Sequence, residues 1–446
     1  MGLTSDHCRS LTRRRSARWV ALLVFFAAVL SGCAPDAVGA LATPTTTLPV
    51  PAARPETPPP SQTAEPLSPL QGTVSIWTAW EPDRVADLSD LLVRFHEQHP
   101  RVQVSLTYFR PEEMLEAYVL AVRDGIGPTV LLGPSVWGAS LLRQGLIVDI
   151  ASRVLPAQRE AVRPLLWSQA SDAGAVIGVP VRMRGIVLYR NRSLAAEPAA
   201  TLQDLLARAA ETSSRFAAEP VFDLGFEFSG AQLTPCGGTV LRAGGGLGFD
   251  ETTGVCWLTL LARFRQAGPL VFDSTLDRAT FIAGHSPWVI DSTDALPEIV
   301  AALGAENLSI DSWPTVDEEG VRLSGSVWSD NAYFAVGTPA SNLEASWALV
   351  NLMISPEGQE RLAQAEGSWF LPAARTVQPL EPLGIQAASV LAEASAKPLA
   401  ANIDIYTLPL ERAVVAVVAR AEDPAAALRR ATELIRNELT QSPPGG

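Results

Sequence analysis

The stretch from Thr73 to Gly133 constrains the fold more tightly than any other part of the chain. "TVSIW" (73–77) reads as a buried strand. "DRVADLSDLLVRFHEQHP" then places Val85, Leu88, Leu91, Leu92 and Phe95 on one helical face and runs out at Pro100. "VQVSLTYF" alternates as a second strand. "PEEMLEAYVLAVRDG" is a second helix, stopped by Gly125, and "TVLLG" is a third strand. Strand, helix, strand, helix, strand in that order predicts an α/β fold, a mostly parallel sheet flanked by helices.

Later segments belong to the same class. "GIVLY" and "VFDLGF" read as strands, and "TLQDLLARAA" is a helix with Thr201 as its N-cap. "VCWLTLLARFRQAG" and "SNLEASWALVNLMIS" are amphipathic helices. "SPEGQERLAQAEG" opens with Ser355 as N-cap and Pro356 at the first helical position, and closes on Gly367. Residues 73–440 are too many for one ordinary core and suit two lobes.

The N-terminal region is of another kind. Arg13, Arg14, Arg15 and Arg18 precede the apolar run Trp19–Leu30, which is short of the ~20 residues a spanning helix needs. A basic flank, a short apolar core and small residues describe an export signal over 1–32. Leu30-Ser31-Gly32-Cys33 resembles the bacterial lipobox, in which cleavage precedes the cysteine and that cysteine carries lipid. The stretch 33–72 is rich in Pro and Thr and cannot bury a core, so it reads as an extended spacer. The protein is therefore expected to be exported and held by Cys33 at the outer face of the cell membrane.

The chain carries a net −13, and residues 1–32 hold five Arg and one Asp, so the remainder stands near −17. That balance disfavours nucleic acid and anionic lipid as partners. Lys397 is the sole lysine, with arginine supplying nearly all other positive charge. Cys8 leaves with the signal, Cys33 is assigned to lipid, and Cys236 and Cys256 remain in a compartment where disulfides persist. They are expected to pair, the alternative being two buried thiols.

Enzyme motifs are largely missing. One lysine leaves no phosphate-binding P-loop, and Gly244–Gly248 lacks the spacing of a dinucleotide fingerprint. "GHSPW" (284–288) begins like a nucleophile elbow but has Trp where the second Gly is needed. No Cys/His ligand set is present, so neither a metal nor a cofactor is expected. Paired carboxylates remain open, because no one pair among the acids stands out. Tryptophan does stand out. Trp77, Trp80, Trp137, Trp288, Trp328 and Trp369 fall at turn-like positions, and indole faces suit the C–H surfaces of sugar rings. Trp257 and Trp347 read as core, and Trp167 and Trp313 are left open.

The order of segments resembles the bacterial extracellular solute-binding protein family 1, the maltose-binding-like receptors of ABC importers. The resemblance covers about residues 73 to 440. It is carried by "VSIWTAWEPD", "GPTVLLGPSVWGASLLRQGLIVDI", "GVPVRMRGIVLYRNRSL", "ATFIAGHSPWVIDSTDAL" and, most specifically, "LMISPEGQERLAQAEGSWFLPAART". It implies the two-lobe, type II periplasmic-binding-protein-like fold, with hinge strands and a ligand cleft. The expected division is lobe 1 over 73–181, lobe 2 over 182–290, a return to lobe 1 over 291–330, and lobe 2 with C-terminal helices over 331–440. A disordered tail over 441–446 completes it.

By the same resemblance, ligand contacts fall on Trp80 with Glu81 and Asp83, on Trp137 beside Ser135, and on Arg182 and Arg184 at the first crossing. Asp291 and Asp294 follow, then Trp328, Asp330 and Asn331, Trp369 and Tyr406. Two features depart from the family pattern. Asp294 stands where an aromatic is common, and two arginines are unusual for a neutral sugar. Arginine forks suit carboxylate or phosphate, which points to an acidic sugar or sugar phosphate; the other reading is that these arginines pair with nearby acids and hold the hinge. The function implied is a monomeric, non-enzymatic receptor that closes around a carbohydrate and delivers it to permease subunits. A surface glycan hydrolase and a ligand-presenting sensor are the competing readings.

Overall fold

The computed structural model describes residues 47–49 and 70–441, apart from 81, 217–221, 243–244, 269, 271, 273, 317–319 and 366. The expected signal peptide, Cys33, nearly all of the spacer and residues 442–446 of the expected tail lie outside the described residues.

The first five elements form where their patterns predict: strands Gly72–Thr78, Val102–Tyr108 and Val130–Pro134, and helices Pro82–Gln98 and Pro111–Arg123. The first strand lies between the other two and runs parallel to both. Val85, Leu88, Leu91, Leu92 and Phe95 are all buried, so the apolar stripe of the first helix is the face turned to the core. Within the expected spacer, Thr47–Pro49 lies antiparallel beside Val102–Tyr108.

The sheet continues through two strands of a different kind. Ser326–Phe334, buried along its whole length, pairs antiparallel with Val130–Pro134 on one side. On its other side it pairs antiparallel with the thirteen-residue strand Val179–Asn191. That long strand changes partners midway. Its first half, to Gly185, pairs with Ser326–Phe334, and its second half, from Ile186, lies between Trp288–Ser292 and Leu308–Asp311. Gly185 marks the changeover. A Cβ there would sit 2.5 Å from the Ser326 carbonyl oxygen and 2.4 Å from Leu391, so only glycine allows the close approach.

Around these strands, helix Ala340–Ile354 packs on Gly72–Thr78, and Pro356–Ala363 packs on Pro82–Gln98. Residues 331–363, assigned to the second lobe, belong to the sheet and helical layer of the first strands. Leu308–Asp311, assigned to the return, pairs with the far half of the long strand. Pattern alone could not show which half of a shared strand a later segment would join. Helices Asp404–Arg420 and Pro424–Gln441 pack on each other and on Glu251–Ala262.

Local signals held in detail. Thr201 Oγ1 accepts the Asp204 N–H at 3.1 Å, and Ser355 Oγ accepts the Gly358 N–H at 3.1 Å. The helix after Ser355 ends at Ala363, short of Gly367. "VFDLGF" is not a strand: its described residues lead into the helical turn Phe226–Ser229, with the Asp223 carboxylate accepting the Gly225 N–H at 2.8 Å. Cys236 and Cys256 form a disulfide that ties the loop after Leu233 to helix Glu251–Ala262.

Candidate functional site

The changeover in the long strand gathers the polar side chains. Arg182 and Arg184 are two residues apart and share one face. In the register of the sheet Asp330 stands opposite Arg182, and Trp328 stands opposite Arg184. Trp80 arrives from the end of the first parallel strand, where α/β sheets commonly place their ligands. Asp294 arrives from the turn after Trp288–Ser292, where Ser292 Oγ accepts its backbone N–H at 3.2 Å.

These residues form one connected network. Arg184 donates through Nε to both oxygens of Asp294 at 3.0 Å, through a second guanidinium nitrogen to the same carboxylate, and through a third to Asp330 Oδ1 at 3.0 Å. Arg182 lies 3.5 Å from Asp294 and 3.8 Å from Asp330. Trp80 Nε1 donates to Asp330 Oδ2 at 3.0 Å, and its ring meets Phe370 edge-on with centroids 5.7 Å apart. Burial pushes the Asp294 carboxyl up, but Arg184 and then Arg182 outweigh it and hold the group below the ordinary carboxylate range. Two guanidinium groups thus face two carboxylates, and the charges balance.

The indole of Trp328 lies between two cations, with Arg184 5.8 Å and the Lys397 ammonium 5.1 Å from its ring centroid. Lys397 in turn donates to Glu227 at 2.8 Å. Two cavities adjoin this arrangement. One, of about 210 Å³, is lined by Trp328 with Phe228, Glu227 and Asp291 among others. The other, of about 540 Å³, lies between Ser168 and Gln169 on one side and Thr234 and Arg242 on the other, with Lys397 on its wall.

Of the residues singled out in the sequence, Trp80, Arg182, Arg184, Asp294, Trp328 and Asp330 come together. Asp291 is turned aside and held by Arg278 at 2.8 and 3.1 Å, although it lines the smaller cavity. Asn331 points into the core, where it donates to the Gln169 carbonyl at 2.9 Å. Trp137 lies back over Gly133 and joins the hydrophobic cluster of Met114 and Tyr118. Ser135 beside it is buried and donates to Gln169. Tyr406 is buried within its helix, and Trp369 is half-buried against the core. The Glu81 and Asp83 side chains lie outside the described residues.

Of the two readings of the arginines, pairing with nearby acids is the one seen here: Arg184 donates to Asp294 and Asp330, and Arg182 lies beside both. Three participants were not foreseen. Phe370 is one position beyond the expected Trp369 and so on the other face of an extended segment. Glu227 lies one residue past "VFDLGF", the segment read as a strand, and was not singled out. Lys397 was visible as the sole lysine, and only the fold shows that it lands on Trp328. Trp288, counted among the turn tryptophans, is fully buried and donates to Asp311 at 3.2 Å. Trp257 is core as expected, and Trp167 and Trp313 also prove to be buried.

Residues 90–392 match the family of bacterial extracellular solute-binding proteins. The chain belongs to that family. No curated relative matches this solute-binding protein by sequence. Solved structures do match its fold. The cyclic α-maltosyl-1,6-maltose binding protein of Arthrobacter globiformis is 16% identical with a TM-score of 0.72, covering 83% of this chain and 100% of its own. The maltose-binding periplasmic protein MalE of Listeria monocytogenes, in complex with maltose, is 16% identical at 0.69, covering 84% and 99%. The GacH receptor of Streptomyces glaucescens, solved unliganded and with acarbose, is 18% identical at 0.67, covering 83% and 98%. The solute-binding protein has their mixed α/β, type II binding-protein fold. Among its described residues no helix is long and apolar enough to cross a membrane.

Proposed function

We propose that this solute-binding protein is the receptor of an ABC importer for a carbohydrate, held at the outer face of the cell membrane by lipid on Cys33. One lobe comprises residues 73–183 and 326–380, and the other 186–325 and 382–441. The ligand lies between them, and closure about the long strand presents the loaded form to a permease. The observation that carries this reading is Trp328, a tryptophan at the junction of the two halves with Arg184, Lys397, Asp330 and Glu227 gathered around it. An aromatic face ringed by hydrogen-bonding groups is the chemistry a sugar requires. The structures that share the fold were solved as maltose-, maltodextrin- and acarbose-binding proteins, which supports the same class here.

The balanced charges of Arg182, Arg184, Asp294 and Asp330 favour a ligand without carboxylate or phosphate. In this reading the protein performs no covalent chemistry. The test is titration of the protein with maltodextrins, uronates and sugar phosphates, followed by tryptophan fluorescence and thermal unfolding. Binding raises stability by about 2.7 kcal/mol at a hundredfold excess over Kd. Saturable binding with the sugar recovered intact supports the receptor, and conversion of the sugar would replace it with a hydrolase. Cys33→Ala should release the protein from membranes; retention without detergent would remove the anchor.

A further inference from the structure

The polar wall of the larger cavity is for the most part already satisfied from within the protein. Ser168 and Ser171 donate to backbone carbonyls at 2.6 and 2.9 Å, and Thr239 does so at 2.9 Å. Thr234 and Ser395 share a hydrogen bond of 2.7 Å, and Gln169 is held between the Ser135 hydroxyl and the Lys397 carbonyl. The Lys397 ammonium is bound to Glu227. Two charged side chains of the wall are left over, Arg242 and Glu393. Both are exposed, and among the described residues neither side chain makes a hydrogen bond or an ion pair. Each is nevertheless carried on well-anchored backbone. Thr239–Leu241 pairs antiparallel with Leu247–Gly248, and the Arg242 N–H donates to the Gly246 carbonyl at 3.1 Å. Gly245 and Gly246 take the positive φ of the turn, 92° and 80°. The Cys236–Cys256 disulfide ties the approach to this hairpin to helix Glu251–Ala262. Glu393 directly follows helix Pro382–Ala392, which packs on Leu308–Asp311 and on the long strand.

A guanidinium offers donors and no acceptor, and a carboxylate offers acceptors alone. A sugar hydroxyl is both at once. In one cavity, with equal and opposite charge, the two groups match a ligand whose oxygens accept from Arg242 and whose hydroxyls donate to Glu393. A uronate or a phosphate would instead meet Glu393 as a like charge. The cavity, at about 540 Å³, falls within the range of ~300–1,000 Å³ for pockets that enclose a whole small ligand. We propose that Arg242 and Glu393 are specificity-determining residues of this receptor and select an uncharged saccharide by its hydroxyl groups. This rests on the carbohydrate-receptor reading and names two of its ligand contacts.

The experiment titrates the full chain in detergent, near neutral pH, with maltotetraose, cellotetraose, mannotetraose and tetragalacturonate, followed by tryptophan fluorescence. A neutral tetrasaccharide should bind more tightly than the galacturonate. Arg242→Ala and Glu393→Ala should each weaken that sugar at least about tenfold, a difference of about 1.4 kcal/mol. The thermal midpoint of the unliganded protein should stay in place, because both side chains are exposed. Glu393→Ala should also narrow the preference for the neutral sugar over galacturonate, since it removes the like charge. Loss of packing alone would weaken both sugars together and leave that preference where it was. A preference unchanged by Glu393→Ala, or neutral-sugar affinity unchanged in both variants, would overturn the assignment and leave the receptor standing. So would tighter binding of galacturonate than of any neutral sugar by the unaltered protein. Binding of none of the four would overturn both readings.

Discussion

The indole nitrogen of Trp80 donates to Asp330 at 3.0 Å, joining residues 250 positions apart in the chain. Both groups are buried, so the bond has no water to replace it. Trp80→Phe keeps an aromatic against Phe370 but removes the donor from one Asp330 oxygen. The expected loss is roughly 1–3 kcal/mol of unfolding free energy, measured by urea denaturation. An unchanged midpoint would mean that Asp330 is satisfied by its arginines alone.

Arg184 holds Asp294 and Asp330 at once. Arg184→Met should destabilise by roughly 3–5 kcal/mol, because it leaves buried carboxylates without their main counter-charge. Adding Asp294→Asn to that variant should recover part of the loss. A double variant worse than the single would show that the methionine itself, and not the stranded carboxylate, is the cause.

Asp294 also sets an acid limit. Its carboxyl is held below its ordinary range in the folded protein, so the stability it contributes is present above the unfolded value, near pH 4, and is lost as pH falls further. Asp294→Asn should unfold with a shallower dependence on pH below about 4 than the unmodified protein. The comparison is made by chemical denaturation at a series of acidic pH values.

Asp277 works in the opposite direction. Its carboxyl is raised to about 8, so the folded protein keeps a proton that the unfolded chain gives up near pH 4. Stability should therefore fall as pH rises from about 4 to 8, by at most about 1.4 kcal/mol per unit. Asp277→Asn cannot lose that proton and should show a flatter profile over the same window. Parallel profiles would place the true carboxyl value near the ordinary one.

The Cys236–Cys256 disulfide closes a loop of about twenty residues. Its removal by Cys236→Ser with Cys256→Ser should lower stability by about 3 kcal/mol. The unfolded, unreduced protein should show no free thiol from this pair; two free thiols would contradict the bond.

Much of the fold was legible because its first five elements obey strong local rules. The stripe of Val85, Leu88, Leu91, Leu92 and Phe95 could be read in no other way, and the caps at Thr201 and Ser355 are written in single residues. "VFDLGF" misled because a short apolar run looks alike in a strand and in a buried loop. The site was half legible. Trp80, Arg184, Asp294 and Trp328 lie in stretches that resemble the family, but whether the arginines faced a ligand or an aspartate depended on register. A slip of one residue in the pairing of Ser326–Phe334 with the long strand would have turned Asp330 away from Arg182. Asn331 shows the point from the other side, since as the neighbour of Asp330 it points into the core.

The place of Ser326–Phe334 has a consequence in time. It sits in the middle of the sheet, between strands made from residues 130–134 and 179–191, yet it is synthesised long after both. Until it arrives, the first part of the chain has a sheet with an open flank and cannot complete its core. Contacts of such sequence separation also form slowly. The first part of the chain is thereby kept from completing its core early. Assembly is deferred until roughly three quarters of the chain has emerged.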